Sequence, residues 1–376
     1  MTAYRTDCRF FTGYRPCHTG GRCDGCTEYR PASPDVLLIN LDALGDVLRT
    51  TALLPAIMRR YPDARITWLT RARAAPMLRG NERVHRVLEW GPDAFAALRV
   101  LHFDLVLNAD KSLPAASMTM TVNATERRGF GLTESGAIIP LNDAARHLYD
   151  LGLDDRAKFQ LNQRTAPDLL AEALGFEHRG DGYALAVDGP SSAPRRRVGL
   201  NTGCGSAWPL KKLGFDVSAA LVERVSASVG EPVVLLGGPE DAATHARLCE
   251  QLGDRVEATD LDKGVMHGAA ELARCDVIVT GDSLGMHMAI ALGKHVVAWF
   301  GPTCPAEIDL YGRGIKVLAD VGCAPCYRPD CREVDPCSQR VSVQTLHEAT
   351  MDCLQARDEG RVLNDVRGRM WWSPAL

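Results

Sequence analysis

Strand-like and helix-like segments alternate along this chain in two separate sets, and this alternation constrains the fold more than any other feature. The first set has short apolar runs at 35–40, 65–70, 87–90 and 104–108, with helical spacing of apolar residues between them. The second set has runs at 198–201, 232–236, 276–280 and 295–300, again separated by helical patterns. Such alternation is typical of parallel sheets covered by helices. We therefore predict an α/β protein with two doubly wound, Rossmann-like domains.

A segment at 188–196 that is rich in proline and serine predicts the linker between the two domains. The 376 residues are enough for two domains that each have a core. We divide the chain into a Cys-rich arm, a first domain, a second domain, and a C-terminal helix with a tail, at 1–33, 34–190, 191–345 and 346–376. Ligands of open parallel sheets bind beyond the carboxyl ends of the strands, so site residues are expected there.

The overall charge argues against a general affinity for polyanions. The formal net charge is −4 and the pI is about 6.2, so we expect no nucleic-acid partner. No apolar run reaches the ~18 residues of a membrane span, and residues 1–31 lack the apolar core of a signal peptide. We expect a cytoplasmic protein without a transmembrane span, and a homo-oligomer stays open.

The strongest motif of the second domain follows its strand-like run at 276–280. Asp282 and Ser283 lie where the cap of the next helix belongs, so free backbone N–H groups and the helix dipole would attract an anion there. An ordinary capped helix is the alternative. His287 lies on the same helix, where a lone histidine on an apolar face is often only a core residue.

The loop after the first strand offers a carboxylate to the same kind of site. Gly45 permits a tight turn, and Asp46 then begins a helix. Asp46 is therefore either a helix cap or a general base that takes a proton from a hydroxyl group. Asp42 is a second candidate on this loop.

Further loops carry polar side chains suited to a diphosphate or a sugar. The segment 201–212 combines glycine turns, hydroxyl groups and the pair Lys211–Lys212, although surface lysines are usually just solvated. Glu240 follows a Gly-Pro turn and either caps a helix or binds a sugar hydroxyl. In the first domain, the segment 108–112 suggests Asp110 and Lys111 as residues that line an acceptor site.

Together these motifs resemble glycosyltransferase family 9, the ADP-heptose heptosyltransferases, over about residues 35 to 345. The resemblance rests on the run from Leu44 to Pro55, on Trp208-Pro-Leu-Lys211, on Gly238-Pro-Glu240 and on Asp282-Ser283 with His287. It departs from the family pattern at Leu213, where an aromatic residue is common, and at the position of Gly285.

The resemblance implies a GT-B fold, with two facing domains, and inverting sugar transfer from a nucleotide-diphosphate sugar, ADP-heptose in type, to an acceptor hydroxyl without a catalytic metal. It implies that Asp46 is the base and that Lys211 binds a phosphate. The donor residues it implies are Thr202, Lys211, Glu240, Asp282, Ser283, Gly285 and His287. Asp42, Asp110 and Lys111 are the candidates on the acceptor side. A non-catalytic protein that binds a sugar nucleotide, or a scaffold, is the alternative.

Eight of the 13 cysteines fall into two clusters with the spacing of metal ligands. The arm has Cys8, Cys17, Cys23 and Cys26, with His18 as an alternative ligand, and the second cluster has Cys323, Cys326, Cys331 and Cys337. Four thiolates predict a structural metal in each cluster, and zinc fits that geometry. The resemblance extends to a branch with a cysteine finger that holds iron, and an iron–sulfur cluster stays open. Free thiols and disulfides are the alternatives.

Overall fold

The computed structural model describes residues 4–14, 17, 20, 23–187 and 196–368. The described residues form two compact units. Unit 1 comprises Met1–Asp150 and Pro167–Asp181, and unit 2 comprises Leu151–Ala166 and Gly182–Leu376. Most of the linker segment, 188–195, lies outside the described residues.

Unit 1 is built on a six-stranded sheet in the order β3-β2-β1-β4-β5-β6. Its strands are β1 (Asp35–Ile39), β2 (Arg65–Thr70), β3 (Arg86–Glu89), β4 (His102–Asn108), β5 (Asn123–Leu132) and β6 (Ile138–Pro140). All neighbouring strands are parallel except β5 and β6. The helices are α1 (Leu44–Thr50), α2 (Leu53–Arg60), α3 (Ala75–Leu78), α4 (Pro92–Leu98), α5 (Leu113–Thr121), α6 (Asp143–Leu151) and α7 (Ala166–Ala173).

Unit 2 is built on a parallel seven-stranded sheet in the order β13-β12-β11-β10-β7-β8-β9. Its strands are β7 (Val198–Asn201), β8 (Val233–Leu236), β9 (Val256–Ala258), β10 (Val277–Gly281), β11 (His295–Phe300), β12 (Arg313–Leu318) and β13 (Leu363–Arg367). Its helices are α8 (Phe215–Val229), α9 (Ala242–Leu252), α10 (Val265–Ala273), α11 (Leu284–Ala291), α12 (Cys337–Arg340) and α13 (Val343–Glu359). Two α/β sheets of parallel strands, with β6 of unit 1 antiparallel to its neighbour, confirm the predicted fold class.

The core of unit 2 shows why its strands read as continuous apolar runs. Val277, Val279 and Val297 are at most 1% exposed, because helices cover both sides of this sheet. Burying such side chains stabilises the fold by about 25 cal/mol for each Å² of apolar surface removed from water. Ser342 is the N-cap residue of the long helix α13, and its hydroxyl accepts a hydrogen bond from the Thr345 amide.

Residues 151–166 cluster with unit 2, whereas the sequence placed them within the first domain. The Phe159 ring stacks on Tyr327 with 3.6 Å between ring centroids, and the Cys304 thiol lies 3.7 Å from the Phe159 carbonyl oxygen. These contacts join residues far apart in sequence, so local patterning does not reveal them. In the described part of the chain, no helix combines the length and apolarity needed to cross a bilayer.

Candidate functional site

The centre of the candidate site in unit 2 is an ion pair between Lys211 and Asp282. The Lys211 Nζ atom lies 3.0 Å from Asp282 Oδ2, and the two side chains are 18% and 16% exposed. Burial would raise the pKa of Asp282, but the Lys211 ammonium, aided by His287, holds it below its usual value. Asp282 is therefore a carboxylate at neutral pH, and the pair places one positive and one negative group side by side.

Glycine at the end of β10 makes this pairing sterically feasible. A Cβ atom on Gly281 would lie 2.1 Å from the Lys211 carbonyl oxygen. Only glycine at this position therefore lets the segment that carries Lys211 approach the strand. The lysine itself ends a short 3₁₀ helix, Pro209–Lys211. Its ammonium also lies 5.4 Å from the centre of the Trp208 ring.

Ser283 is the N-cap residue of α11, as the sequence predicts, but its hydroxyl does not cap the helix. The Asn201 Nδ2 atom donates to the Ser283 hydroxyl at 3.0 Å and to Thr280 Oγ1 at the same distance. A Cβ atom on Gly285 would lie 2.6 Å from the Asn201 side chain. Asn201, which the sequence analysis missed, therefore joins the end of β7 to the beginning of α11. The sequence feature that could have pointed to Asn201 is its position as the last residue of a predicted strand.

His287 is 6% exposed, and its Nε2 atom lies 3.9 Å from Asp282 Oδ1. Its ring lies 5.8 Å from that of Tyr183. The structure thus brings together Asp282, Ser283, His287 and Lys211, which are four of the predicted donor residues.

Thr202 and Glu240 differ in whether their side chains are available to a ligand. The Thr202 hydroxyl donates to the Leu236 carbonyl oxygen at 3.2 Å and lies 2.9 Å from His245 Nε2, so it is used inside the protein. Burial lowers the pKa of His245, which therefore stays neutral there. Glu240 is exposed in the short helix Pro239–Asp241, where its carboxylate can reach a ligand.

The second lysine of the pair has a separate partner. Lys212 Nζ lies 2.5 Å from Asp241 Oδ1, and Asp241 is fully buried. The other Asp241 oxygen accepts a hydrogen bond from the Gly238 amide at 2.9 Å. Lys212 therefore fixes the turn that carries Glu240, while Lys211 pairs with Asp282.

In unit 1, Asp46 lies in the first turn of α1 and is partly exposed. Its Oδ1 atom accepts a hydrogen bond from Arg49 at 2.5 Å, and its side chain is 34% exposed. It does not cap the helix, because Ala43 is the N-cap residue. Partial removal from water and the nearby Asp46 carboxylate raise the pKa of Asp42. The loop thus presents two carboxylates in different environments.

Asp110 and Lys111, which the sequence suggested as acceptor residues, make contacts within unit 1. The two Asp110 oxygens accept hydrogen bonds from the amides of Leu41 and Ser112, at 2.8 and 2.6 Å, and the side chain is buried. Lys111 Nζ donates to the Leu148 carbonyl oxygen at 2.9 Å. Asp110 therefore fixes the Asp42–Asp46 loop from behind.

The cysteines are all free thiols. Within the described residues, no group of three or more His, Cys, Asp or Glu side chains is arranged to hold a metal ion, so the predicted four-cysteine sites are not formed in this structure. His18 lies outside the described residues.

Cys337 of the second cluster is buried. Burial raises the pKa of Cys337 to about 12, with smaller contributions from Cys326, Cys323 and Cys331. In the arm, the Cys26 amide donates to the Cys23 carbonyl oxygen at 3.2 Å, which closes a turn.

Comparisons with known proteins connect this geometry to sugar transfer. Residues 217–335 match the family described as Glycosyltransferase family 9 (heptosyltransferase). The chain is 27% identical over 319 residues to lipopolysaccharide heptosyltransferase 1 of Pseudomonas aeruginosa, covering 79% of this chain and 87% of that protein. It is 25% identical over 296 residues to lipopolysaccharide heptosyltransferase 2 of Escherichia coli K12, covering 72% and 83%.

Solved structures show the same fold. A family 9 glycosyltransferase from Veillonella parvula aligns with a TM-score of 0.65 at 19% identity, over 86% of this chain and 98% of that one. The iron-containing dodecameric glycosyltransferase TibC from enterotoxigenic E. coli aligns with a TM-score of 0.53 at 14% identity, over 86% and 76%. This chain therefore shares its fold with these solved glycosyltransferases.

Proposed function

We propose that this chain, a glycosyltransferase similar to the family 9 heptosyltransferases, transfers a heptose from ADP-heptose to an acceptor hydroxyl. The observation that carries the proposal is the partly buried Lys211–Asp282 pair next to Ser283 at the beginning of α11. An ammonium group and a helix N-terminus both favour a bound diphosphate. The relatives named above as heptosyltransferases support the choice of sugar.

The reaction needs a base on one side of the sugar and positive charge on the other. In an inverting displacement, the acceptor oxygen forms a bond to the anomeric carbon while the bond from that carbon to the diphosphate oxygen breaks. Asp46 would take the proton from the acceptor hydroxyl, and Lys211 would stabilise the charge that grows on the leaving ADP. Asp42 is the alternative base.

The remaining donor residues have narrower roles in this proposal. Asp282 and His287 would contact the sugar and the phosphate from the buried side, while Glu240 would bind ribose hydroxyls from its exposed turn. Gly285 would act by making room for Asn201.

We also propose that each of the two cysteine clusters binds a structural metal. The likeness in fold to TibC, an iron-containing enzyme, supports iron, whereas four thiolates equally suit zinc. No step of sugar transfer depends on these metals.

Nucleotide binding and product formation together test the function. Calorimetry should show that ADP binds more tightly than GDP or UDP, and ADP should also raise the melting temperature by linkage. Incubation with ADP-heptose and with lipid, glycan or protein acceptors, followed by mass spectrometry, should then show a heptose added to one class. Binding without transfer to any acceptor would favour the non-catalytic alternative, and failure to bind ADP would refute the proposal.

A further inference from the structure

Tyr327 lies in the middle of the second cysteine cluster but makes its contacts toward the donor residues. Its φ angle is +49°, a conformation that side chains other than glycine rarely adopt unless their surroundings hold them there. The Tyr327 amide donates to the Pro302 carbonyl oxygen at 2.9 Å. Its hydroxyl accepts from the Cys304 amide at 3.1 Å and donates to Glu307 at 3.3 Å. One side chain thus fixes the loop that follows β11.

That loop also carries Thr303, which influences Asp282. Thr303, between the two residues that Tyr327 holds, is 3% exposed, and its hydroxyl helps to keep the pKa of Asp282 low. A shift of Pro302 or Cys304 would therefore move the Thr303 hydroxyl relative to Asp282.

A second route leads from Tyr327 to Lys211. The Tyr327 ring packs edge-on against Trp208, with centroids 6.3 Å apart at 85°, and Lys211 lies over the same indole. Phe159 covers Tyr327 with a parallel stack, which limits the positions its ring can take. Tyr327 consequently contacts Trp208, which neighbours Lys211, and holds the residues on either side of Thr303.

We propose that Tyr327 is a positioning residue for the nucleotide-sugar site, through which the cysteine loop sets the geometry of Lys211 and Asp282. The inference rests on the proposed function, in which this pair receives the diphosphate. It assigns to the cysteine loop a role in donor binding in addition to any role in folding.

Tyr327→Phe tests the hydroxyl while it preserves the ring stack. The Cys304 amide loses its acceptor, so we expect the Kd for ADP to rise about tenfold. Tyr149→Phe is the matched control, because the Tyr149 hydroxyl donates to the Ile138 carbonyl oxygen at 2.9 Å within unit 1. It should lower the melting temperature without changing the Kd. Glu307→Gln, which still accepts from Tyr327, should stay within about twofold of wild type, whereas Glu307→Ala should resemble Tyr327→Phe.

A double-mutant cycle tests the route through Thr303. If Tyr327 acts through this residue, then Thr303→Val should weaken ADP binding, and adding Tyr327→Phe should change the Kd by less than about twofold further. Independent, multiplying effects would overturn the route. A Tyr327→Phe protein with a lower melting temperature and wild-type ADP affinity would overturn the proposal, because the residue would then be only structural. If wild-type protein does not bind ADP, the proposed function fails instead.

Discussion

Replacing Lys211 by methionine should test the electrostatics of the candidate site directly. Methionine retains much of the side-chain volume but removes the charge 3.0 Å from Asp282. Breaking a buried ion pair on one side leaves an uncompensated charge, which costs about 3–5 kcal/mol. Because the two side chains are still 18% and 16% exposed, we expect the free energy of unfolding to fall by about 3 kcal/mol at pH 7, near the lower end of this range.

The pH dependence of this loss of stability should show whether the unpaired charge on Asp282 causes it. In the wild-type protein the pKa of Asp282 is below its ordinary value of 3.8, so the pair stabilises the fold above that pH and loses its effect as the pH falls through the lowered pKa. In the variant, burial without Lys211 should raise this pKa above the unfolded value. As the pH falls from 7 to 4.5, protonation of Asp282 would then remove the unpaired charge from the variant. In the wild type, the ion pair keeps its contribution to stability over this range. The difference in stability should therefore shrink over that range.

Urea denaturation of both proteins at several pH values measures this difference. At pH 7 the variant should also melt about 6–12 °C lower, at ~2–4 °C per kcal/mol for a unit of this size. Lys211→Met combined with Asp282→Asn should recover most of the loss, since no buried charge remains. A variant within 1 kcal/mol of wild type at pH 7, or a difference that is constant from pH 7 to 4.5, would refute the reasoning.

Three further predictions concern catalysis, donor binding and metal. Asp46→Asn should bind ADP normally but lower turnover roughly 100-fold, the scale of a lost general base, as measured by product formation; activity within a few-fold of wild type would transfer the role to Asp42. Ser283→Ala should raise the Kd for ADP about tenfold in calorimetry, and an unchanged Kd would remove the beginning of α11 from the anion site. Elemental analysis of purified protein should find metal in both cysteine clusters, and the double variant Cys323→Ser with Cys326→Ser should retain only the metal of the arm. Metal-free wild type would refute metal binding, and loss of all metal from the variant would indicate one shared site.

Sequence patterning predicts those strands of this fold that are buried on both faces. The strands β2, β7 and β11 begin and end where their apolar runs do. By contrast, β5 was not predicted, because its first six residues, Asn-Ala-Thr-Glu-Arg-Arg, are mostly polar. Arg127 in this strand donates to the carbonyl oxygens of Thr119 and Val122 near the end of α5, so its charge serves a contact that no local pattern encodes. The short outer strand β13 is likewise mostly polar and partly exposed.

The candidate site shows the same division between local and distant information. Asp282 and Ser283 were predictable because a strand end followed by a capped helix is a local pattern. The pairing of Lys211 with Asp282 was not, since it depends on Gly281 allowing a distant loop to approach. Asp110 had the right residue type and the right strand end, but two backbone amides already bind its carboxylate.

The assignment of residues 151–166 to unit 2 has a consequence for synthesis on the ribosome. Phe159 leaves the exit tunnel long before its stacking partner Tyr327, because 168 residues separate the two positions in the chain. At translation rates of ~5–20 residues per second, this aromatic side chain waits about 8–34 s without its partner. During that interval unit 1 can acquire its last segment, Pro167–Asp181, while the loop between α6 and α7 still lacks its contacts. A nascent chain stalled before residue 327 should therefore be open to proteases at 151–166 and resistant in the sheet of unit 1.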